Sequence, residues 1–130
     1  MYAANAYKIY ETNGVKTASP KKLLIMLYEG AIKFCRLAEM AINENNVERR
    51  NENLKRAQDI ITELQVTINH DAGEIAEKLE MLYSYMNSEL VQANISNDVM
   101  KVTVVRSMLD ELKVAWNSIN LNESDANGID

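Results

Sequence analysis

The sequence predicts an all-α protein, an antiparallel four-helix bundle with a short N-terminal helical arm. Three observations carry this. Breakers are few: one Pro and four Gly in 130 residues, against a background of Leu, Met, Ala, Glu and Lys, the residues that lose least on entering a helix. Apolar residues recur at three- and four-residue spacing over four long segments, the period of a helix with one buried face. Polar breaks of only a few residues separate those segments, which forces consecutive helices to pack antiparallel. At 14.7 kDa the chain is one domain's worth of sequence, and a domain of this size buries roughly two-thirds of its unfolded surface.

Residues 1–18 read as the arm, with a helical turn over 3–10 and a turn at Asn13-Gly14. The arm carries Tyr2, Tyr7, Ile9 and Tyr10, more apolar surface than a free end needs. Residues 19–121 read as the bundle. Helix one starts at Ser19-Pro20, an N-cap residue followed by the residue suited to the first helical position, and runs to about Asn43. An Asn-rich break follows. Helix two spans about 47–69, with Leu54, Ala57, Ile61, Leu64 and Ile68 as its stripe. Asp71 and Glu74 have the spacing of an Asp/Glu capping box opening helix three, whose stripe is Ile75, Leu79, Leu82, Met86, Leu90 and Ala93. Ser96-Asn97-Asp98 break and cap the chain again. Helix four carries Val102, Val105, Leu109, Leu112, Trp116 and Ile119, the alternating spacing of a bundle seam. Residues 122–130 are acidic, without hydrophobic period, and are expected to be disordered.

Helix one has more apolar residues than one buried face requires. On a wheel at ~100° per residue, Leu23, Leu27, Ala31, Phe34, Ala38 and Ala41 fall on the core side. Leu24, Tyr28, Cys35 and Ile42 widen one flank, and Met26, Gly30 and Leu37 the other. Ile25 and Ile32 then lie almost opposite the core. Helix four has a smaller surplus, Val104, Met108 and Ala115, on one side of its seam. Surplus apolar surface marks either a helix touched from several sides or a partner site, and the wheel leaves both open.

Composition excludes several classes. A net charge of −5, with no basic run longer than Lys21-Lys22 or Arg49-Arg50, offers no surface for nucleic acid or an anionic membrane. No apolar stretch approaches the length of a membrane span. The first residues are polar and aromatic, unlike a secretory leader. One cysteine, Cys35, suits a reducing compartment, so the expected location is the cytoplasm. No catalytic constellation emerges. His70 lies beside Asp71 with no nucleophile motif near it, and Cys35 follows Phe34 on a helix flank as a small buried hydrophobe would. No Glu-x-x-His pair is present for a di-iron bundle. Glu74, Glu77 and Glu80 read as a solvated face, the glycines form no phosphate loop, and Trp116 sits on a seam. No metal, cofactor or enzymatic activity is expected.

Particular residues say more than periodicity. The segment VKTASPKKLLIMLYEGAIKF at 15–34 resembles the signature of the flagellin export chaperone family (FliS), V-x-T-A-S-P-x-x-L-I-x-M-L-Y-[DE]-G with some variation at the I position. Ala6-Tyr7 and Tyr10 match that family's N-terminal A-Y-x-x-Y. The stretch Ala57-Gln-Asp-Ile-Ile-Thr-Glu-Leu64 resembles its second helix, and Ile75-Ala76, Leu79 and Leu82 to Met86 its third. The junction from Leu90 to Asp98, then Leu112 and Ala115-Trp116, agree as well, so the resemblance spans most of 6–116. The Asn13-Gly14 turn and the tail do not align with the pattern.

The resemblance implies a cytoplasmic, non-enzymatic chaperone. It would bind the disordered C-terminal region of flagellin, prevent premature polymerisation and present the subunit to the type III export apparatus, with regulatory proteins as further partners. Tyr7, Ile9 and Tyr10 would then be either a permanent tether of the arm or a plug that the client displaces. Ile25, Tyr28, Ile32, Val104 and Met108 are the expected contact residues on the bundle. The alternatives are a self-associating structural bundle and a chaperone for another export client.

Overall fold

The computed structural model describes residues 20–119, and over that range the chain is four helices. Helix α1 is Pro20–Asn43, α2 Val47–Val66, α3 Glu74–Ser96 and α4 Val99–Ser118. A 3-10 turn, His70–Ala72, joins α2 to α3. Each helix packs on its two neighbours in a square: α1 on α2 and α4, and α3 on α2 and α4. The short connections make each sequential pair antiparallel, as expected. Ser19, the arm with Tyr7, Ile9 and Tyr10, and the acidic tail lie outside the described residues.

The breaks work through asparagine and glycine. Asn45 and Asn97 both adopt the left-handed conformation, φ 56°, which asparagine tolerates better than most residues. Asn46 then caps α2 by accepting from the Arg49 amide at 3.0 Å, and Asp98 caps α4 by accepting from the Met100 amide at 3.0 Å. Between α2 and α3 the structure departs from the expectation. Helix α2 stops at Val66 rather than near Asn69: the i−4 ladder ends with the Thr67 amide on the Glu63 carbonyl, the Ile68 amide reaches only to the Gln65 carbonyl, and Asn69 turns to cap the next turn. Asp71 is not the cap of α3. It sits inside the 3-10 turn, where the Asn69 side chain accepts from its amide at 3.0 Å. Gly73 occupies the cap position of α3 at φ 87°, ψ −144°, with no side-chain cap bond. Glu74 and Glu77 in the first turn complement the positive end of the helix dipole instead.

The core is built from Leu24, Tyr28, Ala31, Cys35, Ala38 and Ile42 of α1 and Leu54, Ala57, Ile61 and Leu64 of α2. Ala76, Leu79, Tyr83, Met86, Leu90 and Ala93 of α3 and Val102, Val105, Leu109 and Trp116 of α4 complete it. On α1 the buried meridian is rotated by about 60° from the wheel's core side, at ~100° per residue. Helix α4 covers the flank that the wheel left open. Ile32, placed opposite the core by the wheel, is 6% exposed, and Tyr28 is fully buried. Both are core residues, and the surplus on α1 exists because two helices press on it. On α3, Ala76 and Tyr83 take the central line, and Ile75 and Leu82 move to its edge, half-buried.

Cys35 is fully buried, and burial first, then the nearby Glu39 carboxylate, pushes its thiol up to about 12. Two outcomes follow. A thiol-disulfide reagent at pH 8 will leave Cys35 unlabelled in the native protein and label it on unfolding in urea; rapid native labelling would contradict its placement. At Gly73, no neighbouring atom would obstruct a Cβ, but its φ lies where L residues rarely go. Gly73→Ala is expected to cost about 1–3 kcal/mol, read as a lower urea midpoint at unchanged slope.

Candidate partner-binding groove

The four seams of the square are closed by different chemistry, and the difference singles out one of them. Between α1 and α2 the closure is steric. A Cβ on Gly30 would stand 3.1 Å from Ile60 Cδ1, so the helices approach closely there. Phe34 lies under Lys33 and Arg56, whose cationic groups are 5.5 and 5.6 Å from its ring centre, which covers the edge of the apolar contact.

Between α1 and α4 the closure is a ladder of charges. Lys21 Nζ donates to the Asn117 carbonyl at 3.0 Å. Lys113 pairs with Glu29 at 3.5 Å, and Arg36 with Asp110 at 3.8 Å. Arg106 Nε donates to Glu39 Oε1 at 2.7 Å, and the Thr103 hydroxyl donates to the other oxygen. The bond to Glu39 is the main cause that raises the Arg106 pKa. Between α2 and α3 the ladder is made largely of amides. Gln65 donates to Glu80 and Ser84, Asn87 to Thr62, Asn94 to Asn51, and Arg50 to Asn94 and Asn97.

Between α3 and α4 the rim is different. Among the described residues one charged pair bridges it, Lys101 with Glu89 at 3.3 Å, near the end where the two helices are joined. Away from that pair the seam is a groove of about 150 Å³ with apolar walls: Ile75, Leu79 and Leu82 from α3, and Leu112, Ala115, Trp116 and Ile119 from α4. Among the described residues Lys78 is the one charged residue that lines it. Met108 and Val104 precede Leu112 by four and eight residues on the same face of α4, so they carry the row towards Lys101. Val104 is 44% exposed, and Met108 is half-buried against the core.

The expected contact residues divide accordingly. Val104, Met108 and Ala115, read from sequence as an off-seam row, lie along the α3/α4 groove. Ile25 is half-buried and lines a separate depression of about 370 Å³ with Met26, Lys21 and Lys22 at the end of the α1/α4 seam. Tyr28 does not belong to an open contact face, and Ile32, 6% exposed, only borders a depression of about 460 Å³ among the charged residues Glu29, Lys33, Arg36, Asp110 and Lys113. Tyr28 accepts from Trp116 Nε1 at 2.9 Å and shares a short hydrogen bond with the Tyr83 hydroxyl. Ile75, Leu82 and Leu112, assigned from sequence to the core stripes, are the groove residues that sequence reasoning missed. The signal was the small Ala76 seven residues before Tyr83, which marks a closer central line than Ile75-Leu82.

Nothing in this arrangement suggests chemistry on a substrate. His70 lies in the 3-10 turn rather than at the end of α2, with Nε2 3.6 Å from Glu80. Among the described residues no group of three His, Cys, Asp or Glu side chains is placed to hold a metal ion, and no helix is long and apolar enough to cross a membrane.

Comparison with known proteins identifies a family. The family model described as Flagellar protein FliS matches residues 3–123. The flagellar secretion chaperone FliS of Bacillus subtilis (strain 168) is 43% identical over 116 residues, 89% of this chain and 86% of that protein. Its namesake from Campylobacter jejuni is 35% identical over 120 residues, 92% of this chain and 94% of that protein. The one from Salmonella typhimurium is 33% identical over 126 residues, 92% of this chain and 93% of that protein. The chain belongs to the FliS family of flagellar secretion chaperones, which are not enzymes.

Proposed function

We propose that the protein works in the cytoplasm on the disordered C-terminal region of flagellin, shields it against premature polymerisation and presents it to the type III export apparatus. The observation that carries this reading is the α3/α4 seam, an apolar row that has, among the described residues, one charged pair on its rim, between two seams with full polar ladders. A disordered client that folds on binding lays the apolar ridge of an amphipathic helix into such a groove. From Val104 to Ile119 the row is ~22 Å long at 1.5 Å per residue, which suits about four helical turns. Met108 is the adaptable element of the wall, since a thioether side chain fits differing ridges. Ile25 and Met26, at the other side of α4, supply a second apolar contact for a client that continues past the end of the groove. The arm residues Tyr7, Ile9 and Tyr10 serve either as a plug that the client displaces or as a permanent tether of the arm.

The test is calorimetry of the purified protein with a peptide spanning the C-terminal segment of the flagellin from the same genome. Wild type is expected to bind 1:1 with a negative heat-capacity change, the mark of apolar burial. Met108→Glu, which puts a charge into the row, is expected to weaken binding about tenfold or more. Met81→Glu, on the exposed outer face of α3, should stay within about twofold of wild type. Equal effects of the two changes would remove the groove from the reading. A folded wild-type protein that ignores the peptide and doubles its mass would replace the reading with self-association.

A further inference from the structure

Trp116 belongs at once to the groove and to the core. It helps form the groove wall, yet it is only 3% exposed, and its indole N–H donates inward to the Tyr28 hydroxyl at 2.9 Å. Tyr28 is fully buried on α1 and shares a hydrogen bond with Tyr83 of α3, also fully buried. Three helices therefore meet in one chain of polar atoms directly behind the groove.

Trp116 also sits in the last turns of α4, which ends at Ser118. Helix ends lack their full set of internal hydrogen bonds and fray. Here two bonds from α1 hold that end in place, Tyr28 to the indole and Lys21 Nζ to the Asn117 carbonyl. An indole ring has two side-chain torsions to fix, and its neighbours in the wall, Leu112, Ala115 and Ile119, are aliphatic and offer no directional hold. The bond to Tyr28 is directional and points the indole N–H inward. Tyr83 lies one step further back: its hydroxyl meets Tyr28.

We infer that Tyr28 is a positioning residue for client binding, which acts through Trp116 by fixing the tilt of the indole and with it the depth and shape of the α3/α4 groove. This rests on the reading that the groove takes the client helix. Tyr28 itself touches no client. The Tyr83 hydroxyl bonds to that of Tyr28, one bond further from the indole N–H, so the two tyrosines, alike in burial and chemistry, have unequal effects on binding. Trp116, the single tryptophan of the chain, reports on the groove directly.

The experiment compares wild type, Tyr28→Phe and Tyr83→Phe, all as the full chain, for urea stability, Trp116 fluorescence and affinity for the flagellin C-terminal peptide. Both variants remove one hydroxyl from the same buried cluster, so a purely structural role predicts matched losses of stability and matched affinities. The positioning role predicts that Tyr28→Phe binds about five- to tenfold more weakly, the scale of one lost directional hydrogen bond, and shifts Trp116 emission in the free protein. Tyr83→Phe should bind within about twofold of wild type and keep the wild-type emission. Equal affinities for the two variants would overturn the inference while leaving the client reading intact. So would wild-type binding that leaves Trp116 emission unchanged, since the groove would not be occupied. Failure of folded wild type to bind the peptide at all would sink the client reading, and the positioning role with it. Should Tyr28→Phe unfold, Trp116→Phe, which keeps an aromatic ring and deletes the indole N–H, replaces it in the affinity comparison alone and is expected to bind at least about fivefold more weakly than wild type; wild-type affinity would overturn the inference.

Discussion

The hydrogen-bonded trio of Tyr28, Tyr83 and Trp116 is the constraint on which the bundle's geometry depends. In a square of four helices, packing along the edges is generic: many leucine and alanine registers fill it nearly as well. A buried hydroxyl is less tolerant. Leaving one without a partner costs about 1–3 kcal/mol, so a register that separates these groups is disfavoured by that amount for each. The trio joins α1 to α3 across the diagonal and α1 to α4 along an edge, and one arrangement of three helices satisfies it. The remaining helix, α2, is placed by shape, through Gly30 beneath Ile60. Small residues along α1, Ala31, Ala38 and Ala41, all buried, let its neighbours come close on both sides.

Once the register is set, the rims follow from it. The α1/α4 ladder pairs Lys21 with Asn117, Glu29 with Lys113, Arg36 with Asp110 and Glu39 with Arg106. Residue numbers rise on one helix as they fall on the other, so each rung fits only if its neighbours do. The α2/α3 ladder follows the same rule with amides, from Arg50 and Asn51 at Asn94 to Gln65 at Glu80. Exposed pairs of this kind add little stability one at a time. Their larger effect is to rim two seams with polar groups. Among the described residues the α3/α4 seam has one such rung, Lys101 with Glu89, and beyond it is apolar apart from Lys78.

The sequence made the helices legible and the seams only partly so. Boundaries set by local chemistry were readable: Asp98 capping α4 and the Asn-rich break after α1 are decided by residues next to one another. The Asp71–Glu74 spacing misled because a 3-10 turn competes for the same residues, and Asn69 captured the Asp71 amide first. The wheel of α1 misplaced Tyr28 and Ile32 because a wheel assumes one buried face, whereas α1 is pressed from two sides. For the groove, Val104, Met108 and Ala115 were visible as a row off the α4 seam. What made that row significant was not visible: the absence of a polar ladder is a property of residue pairs on two helices, fixed by register. The tie between Trp116 and Tyr28, 88 positions apart, has no local trace either.

An apolar groove in a crowded cell invites unwanted association, and its shape limits this. At about 150 Å³ it is smaller than the ~300–1,000 Å³ of a typical small-molecule pocket. It has room for side chains from one narrow ridge, as a single helix presents, and a broad convex face such as another bundle's flank cannot enter it. Lys78 lines one part of it, and the Lys101–Glu89 pair stands further along the seam, so an apolar surface wider than the groove would desolvate charge on meeting them, at a cost that apolar contact alone does not offset. Selectivity of this sort comes from what the groove penalises as much as from what it attracts. It needs walls that keep their shape when empty, and the one wall residue with a fixed direction is Trp116, held from behind by Tyr28. A groove whose floor could tilt would admit more ridges and prefer none of them; a fixed floor is the condition under which a shallow apolar site distinguishes one amphipathic helix from another.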